Sequence, residues 1–176
     1  DKTIKFLDKL KKDKILWLIR PHPSSKRYGE KGIIENLVNK LKNPLIKICP
    51  DDISTQNIIA LSDAVITTFG TIGLEFNCYG KNCLTAGDGI YSNLGLDINS
   101  KNQSQYFKNL NKLDHFKRLN NSEIILAKKT LYLIENKDRG NLVPLSDKID
   151  KQIKEIHNKR YLIKNNIIVS KFRRKV

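Results

Sequence analysis

Methionine is missing from all 176 residues, tryptophan occurs once, and there are only three cysteines and five prolines. The first residues, Asp1-Lys2-Thr3, lead into a charged amphipathic stretch with none of the apolar core of a signal peptide. With no initiator methionine, that start is expected to be a cut inside a longer protein. No apolar run approaches the roughly 20 residues a spanning helix needs. The best candidate, Ile15-Leu16-Trp17-Leu18-Ile19, has the length of a strand. Cys49, Cys78 and Cys83 are odd in number and show no CxxC spacing, which excludes a disulfide framework or a structural zinc and points to a reducing cytosol. Cys49 and Cys83 fall in expected strands, where a thiol behaves as a small hydrophobe. His115 and His157 stand alone on helical patterns, so neither a metal nor another cofactor is expected. With 39% hydrophobic and 29% charged residues, the chain has room for one ordinary domain with a buried core.

Negative charge is the scarce sign: 18 acidic residues stand against 33 basic ones, a formal charge of +15. Nine of the basic residues lie in 151–176, accompanied there by Glu155 alone. Such a basic end reads as a solvated extension, or as a segment drawn to anionic lipid, where each Lys or Arg contributes about 1 kcal/mol. Sequence-specific nucleic-acid binding is not expected, because no helix-turn-helix, RNP or zinc pattern is present.

Along the chain, helical and strand periodicities alternate. Residues 2–12 place Ile4, Leu7 and Leu10 on one helical face. Residues 14–19 form an unbroken apolar run, as in a strand covered on both faces. A helix is expected at 31–42 and a strand at 45–49, stopped by Pro50. Ser54 is a good N-cap for a helix over 55–62. A strand follows over 64–68, then a turn, then a helix at 72–79 ending at Gly80 as its C′ residue. A fourth strand covers 82–85. Further helices are expected at 102–112, 123–137 and 146–159, with an apolar strand at Ile167–Val169 in the tail. This order implies an α/β domain, Rossmann-like, with one parallel sheet between layers of helices over residues 1–159, and a basic tail at 160–176.

In an open parallel sheet, ligands sit beyond the carboxyl ends of the strands. Three loops leave such ends. Arg20-Pro21-His22-Pro23 presents an imidazole from a stiff backbone, beside a guanidinium suited to carboxylate or phosphate; read blandly, it is a proline-rich turn with a surface histidine. Thr67-Thr68-Phe69-Gly70-Thr71-Ile72-Gly73-Leu74-Glu75 joins strand to helix through glycine, the geometry that turns backbone N–H groups toward an anion. There Gly70 permits close approach, Thr68 and Thr71 add hydroxyls, Gly73 lets the helix pack tightly, and Glu75 suits a ribose diol. It is neither a Walker A motif nor GxGxxG, and a plain capped helix with Glu75 serving its dipole is the alternative. The run from Gly87 to Gly95 holds three glycines and is flexible enough to close over a ligand, or is merely a turn. Asp51 and Asp52, after Pro50, are expected to start the next helix.

Arg20-Pro21-His22-Pro23, Ser62 to Glu75, Tyr79-Gly80-Lys81, the run Gly87 to Leu96 and a helix carrying Tyr106-Phe107 together resemble the donor-binding half of GT-B glycosyltransferases of the capsule polysaccharide biosynthesis family, which includes bacterial Kdo transferases using CMP-Kdo. The resemblance covers about residues 14–112. It implies the C-terminal half of a GT-B fold in which Arg20, His22, Thr68, Gly70, Thr71, Gly73 and Glu75 bind the nucleotide and phosphate of a sugar-nucleotide donor. It also implies a lipid-linked or polysaccharide acceptor, and an acceptor half with the catalytic base upstream of Asp1; within the chain, Asp88 is the outside candidate for chemistry. The expected location is the cytoplasm, with contact to the inner face of the membrane through the tail. A similar Arg-Pro-His-Pro occurs in CDP-glycerol glycerophosphotransferases of teichoic acid synthesis, which carry Asp-Tyr-Ser-Ser where this chain has Thr68-Phe69-Gly70-Thr71. Two further readings stand beside the enzyme: a module that binds an anionic ligand or nucleotide without chemistry, and a polyanion- or membrane-docking domain.

Overall fold

Ile4 and Leu7, three residues apart, form the buried stripe of helix α1 (Lys2–Lys9), while Lys2, Lys5 and Lys9 face water. The structure, a computed structural model, describes residues 2–10, 15–30 and 32–135. The helix expected at 146–159, the end of the helix expected at 123–137, the strand at 167–169 and the basic tail lie outside the described residues. The chain divides into two compact units, 1–58 and 59–176.

In the first unit, strands β1 (Trp17–Ile19) and β2 (Ile46–Ile48) pair in parallel, with Trp17 opposite Ile46 and Ile19 opposite Ile48. Trp17, Ile46 and Val38 of helix α2 (Ile33–Asn39) are buried. The Asp8 carboxylate accepts the N–H groups of Lys42 and Asn43, at 3.1 and 2.9 Å, and so secures the turn that enters β2. Contrary to the expectation of a strand covered on both faces, Leu16 and Leu18 are 57% and 38% exposed. Successive side chains of a strand point to opposite faces, and here only the Trp17 face is buried.

In the second unit, strands β3 (Ala64–Thr67) and β4 (Asn82–Thr85) pair in parallel across helix α4 (Ile72–Asn77). The described strands thus form two parallel pairs, one in each unit. β4 gains its second neighbour from Ile98, whose N–H donates to the Cys83 carbonyl at 2.7 Å and whose carbonyl accepts from the Thr85 N–H. That double pairing explains why Cys83, Leu84 and Thr85 are wholly enclosed while β3 is half-buried along its length. Helix α5 (Gln103–Asn111) opens on Asn102, and helix α6 (Asn121–Glu135) opens on a reciprocal capping box. In that box Asn120 accepts from the Glu123 N–H and the Glu123 carboxylate accepts from the Asn120 N–H. This starts α6 two residues before the periodicity alone suggests. Leu74, Ile90, Tyr91, Leu96, Ala127 and Ile134 form the core between α4, α6 and the segment after β4.

Two helix ends decide the approach to β4. Helix α3 (Thr55–Leu61) begins as its sequence dictates, with the Asn57 N–H donating to Ser54 Oγ at 3.2 Å. Asp51 and Asp52 lie exposed in the turn before it, outside the helix. α4 closes in a Schellman motif: Gly80 has φ +73°, its N–H donates to the Asn77 carbonyl, and the Lys81 N–H donates to the Phe76 carbonyl. The same Lys81 sends its ammonium back to the carbonyls of Ile59, Ala60 and Ser62, the open end of α3. Lys81→Met keeps the stem and removes the charge, leaving those carbonyls without a cation. It is expected to cost about 1.5–3 kcal/mol, read as a lower urea midpoint at unchanged slope. An unchanged midpoint would show that water serves those carbonyls equally well.

Candidate functional site

At the carboxyl end of β3 the chain turns through Thr68, Phe69 and Gly70 into α4, with Thr68, Gly70 and Thr71 exposed. Thr67 Oγ1 accepts the Gly70 N–H at 3.2 Å, which tightens the turn. The Gly70 carbonyl accepts twice: from the Tyr91 hydroxyl at 2.9 Å and from the Gly73 N–H at 3.3 Å. In a planar trans peptide the C=O and the following N–H point in opposite directions. Holding the Gly70 carbonyl against Tyr91 therefore turns the Thr71 N–H away from the core. No side chain caps α4, whose N-cap Thr71 already has helical backbone angles. The Thr71 hydroxyl donates instead to Glu75 at 3.4 Å, tying the half-buried carboxylate to the turn.

Gly70 itself is not in the left-handed region. A Cβ there would lie 3.2 Å from Thr67 Oγ1 and 3.3 Å from Ile72 Cγ2, tight but short of a clash. The glycine that packing cannot replace is Gly73, where a Cβ would overlap Tyr91 Oη and Cys83 Sγ. This close approach brings α4 down onto β4 and places Tyr91, 0% exposed, beneath the turn. Burial pushes the Cys83 thiol up to about 12, with the Tyr91 hydrogen bond opposing that shift, and burial also pushes the Tyr91 phenol above its ordinary value. Both side chains are neutral in the folded protein at physiological pH.

The glycine-rich run after β4 is anchored rather than free to close. Ile90, Tyr91, Ser92 and Leu96 are buried. The Gly89 N–H donates to Ser92 Oγ at 2.6 Å, and Ser92 and Thr85 both donate to Asp97 Oδ2, at 3.1 and 2.6 Å. Gly95, at φ +70°, allows the reversal before Leu96, and the large buried side chains ahead of it hold the run down. Asp88 is exposed, and its carboxylate accepts from Asn99 Nδ2 at 2.6 Å.

In the first unit, Arg20 and His22 are both exposed beyond the end of β1. His22 has φ −66° and ψ 136°, the extended form that a following proline imposes. Pro23 then opens a 3₁₀ turn, Pro23–Tyr28, and the Ser24 N–H donates to His22 Nδ1 at 3.1 Å. Gly29, at φ +69°, ends the turn.

The structure thus brings Thr68, Gly70, Thr71, Gly73 and Glu75 together in one unit, and Arg20 and His22 together in the other. Sequence reasoning missed Tyr91 as the brace of the turn and Asp97 as the hub of the hydroxyl network. The legible signal was Ile90-Tyr91, two large apolar-bodied residues set among glycines in a supposed open loop. Among the described residues no group of three His, Cys, Asp or Glu is placed to hold a metal, and no helix is long and apolar enough to cross a membrane. What is defined is an α/β protein with parallel strand pairs and an exposed, braced strand-to-helix turn. No protein-family model matches the chain, and no curated protein and no solved structure matches it either.

Proposed function

We propose that this chain is the donor-binding part of a glycosyltransferase of GT-B architecture, with a Rossmann-like domain that holds a sugar nucleotide for surface polysaccharide synthesis. The observation that carries the reading is the Gly70 turn: an exposed strand-to-helix turn whose Gly70 carbonyl is held by the Tyr91 hydroxyl, which turns the following Thr71 amide away from the core beside the exposed Thr68. A diphosphate needs such donors held in place before it arrives, because ordering them on binding would cost affinity. Glu75, already drawn to Thr71, is set to receive a ribose hydroxyl; in the other unit, Arg20 and His22 carry exposed donor groups of the kind that suit phosphate oxygens. In this reading the acceptor is a lipid-linked or polysaccharide chain, and the protein works on the cytoplasmic side, with the basic tail against the membrane. Closing donor and acceptor halves over the reactants supplies positioning worth about 7–11 kcal/mol of the barrier.

The test is a thermal-shift panel of CMP, CDP, UDP and GDP on the 176-residue chain. A nucleotide at 100 times its Kd is expected to stabilise by about 2.7 kcal/mol. Gly70→Val, which crowds Thr67 and Ile72 and covers the turn, is expected to lose that response. Absence of any shift with all four nucleotides overturns the reading. Binding without transfer of labelled sugar from donor to a lipid-linked acceptor, with the acceptor half supplied, favours a nucleotide-binding module instead.

A further inference from the structure

We infer that His22 meets its ligand as a neutral hydrogen-bond donor through Nε2, and not as a base. The Ser24 N–H is a donor, so the ring nitrogen it faces at 3.1 Å has to be an acceptor. Nδ1 of a neutral imidazole accepts only when the proton sits on Nε2. The contact is built into the chain: Pro23 fixes His22 in extended backbone, supplies the first residue of the 3₁₀ turn without an N–H of its own, and so leaves Ser24 as the first amide for the cap. The amides here are already used, because the Ser24 N–H serves Nδ1 and the Ser25 N–H donates to the His22 carbonyl at 2.8 Å. What the turn offers a ligand is therefore the Nε2–H of an exposed ring. Both ring nitrogens are committed, one to accepting and one to carrying the proton, so His22 has no lone pair free for general-base work. The partner chemistry that fits is an acceptor-only oxygen such as that of a phosphate, which rests on the donor-binding reading above; the protonation site of the ring does not.

The imidazole nitrogens of the ¹⁵N-histidine-labelled chain, observed at pH 8, read the proton's position directly, and the His22 signals are the set lost in His22→Asn. The expected result is protonated Nε2 with bare Nδ1; protonation at Nδ1 overturns the inference. For the ligand, CDP binding is compared in two variants. His22→Asn retains a cap oxygen in the place of Nδ1 but has no donor where Nε2 lies, so it is expected to keep the parent Tm and to lose about ten-fold or more in CDP affinity. His22→Gln carries an amide N–H out to the Nε2 position without the cap, and is expected to retain more affinity than His22→Asn while melting lower. Equal CDP affinity in His22→Asn and the parent overturns the donor role. Failure of the parent to bind any of CMP, CDP, UDP and GDP overturns the sugar-nucleotide reading and the phosphate assignment with it, while the nitrogen spectrum still decides the proton's position.

Discussion

Gly73→Ala is expected to destabilise the protein by about 3 kcal/mol, the upper end of what one added carbon costs in a filled core. The Cβ has nowhere to go: it would overlap Tyr91 Oη on one side and Cys83 Sγ on the other, and both side chains are fully enclosed. Neither neighbour is the loose end of a flexible side chain. Tyr91 is tied by its hydroxyl to the Gly70 carbonyl, and Cys83 lies on a strand paired along both edges. Relief therefore requires α4 to lift from β4. The cause is tested by a double-mutant cycle: in a Cys83→Ala, Tyr91→Phe background, which removes both obstructing atoms, Gly73→Ala is expected to cost less than half as much. Equal urea midpoints shifts in the two backgrounds would show that the overlap is not the cause. Because a domain of this size is stable by only about 5–15 kcal/mol, Gly73→Val is expected to leave little folded protein at 37 °C.

The same cluster makes the fold sensitive to alkali. Burial raises the Cys83 thiol from an ordinary 9.0 to about 12 in the folded state. The unfolded chain therefore loses this proton first, and between those values it binds fewer protons than the native state. Stability falls with rising pH wherever that holds, so the Cys83 contribution is complete below pH 9 and is lost as pH climbs toward 12. The slope approaches about 1.4 kcal/mol per pH unit for one group. Tyr91, pushed in the same direction from an ordinary 10.0, steepens the loss above that pH. Urea midpoints measured in steps from pH 8 upward are expected to fall from pH 9, and to fall less steeply in Cys83→Ala. A parent midpoint constant to pH 11 would place the thiol in a wetter setting than its burial implies.

Features whose determinants lie within a few residues of one another were legible in the sequence. Ser54 caps α3 through an amide three residues on, Gly80 ends α4 because the closing turn there needs a left-handed residue, and Asn82–Thr85 is the strand its composition suggests. The strand–turn–helix order around Gly70 and the prolines flanking His22 were equally visible, so the candidate residues were found without the fold. Their work was only partly visible. Gly73 was legible as the glycine that lets α4 pack tightly, and it cannot carry a Cβ, whereas Gly70, expected to permit close approach, has an ordinary backbone and surroundings that allow some give.

What the amino-acid order determined by itself, over the described residues, is the main helices and strands, their α/β alternation and the positions of the exposed turns at Arg20 to His22 and Thr68 to Thr71. Each of these follows from propensity, capping and periodicity, which act over one to four residues. Only the tertiary structure decided that Ile98 takes the second edge of β4, and that Lys81 closes α3 some twenty residues earlier in the chain. It also decided that the run from Gly87 to Gly95, legible either as a closing loop or as a mere turn, is a buried anchor, with Tyr91 under the Gly70 carbonyl and Asp97 gathering Thr85 and Ser92. These contacts bridge distant residues, so they depend on which surfaces meet once apolar area is withdrawn from water. A buried hydroxyl or carboxylate then accepts whatever partner the packing brings within reach, and no local pattern records which one that is.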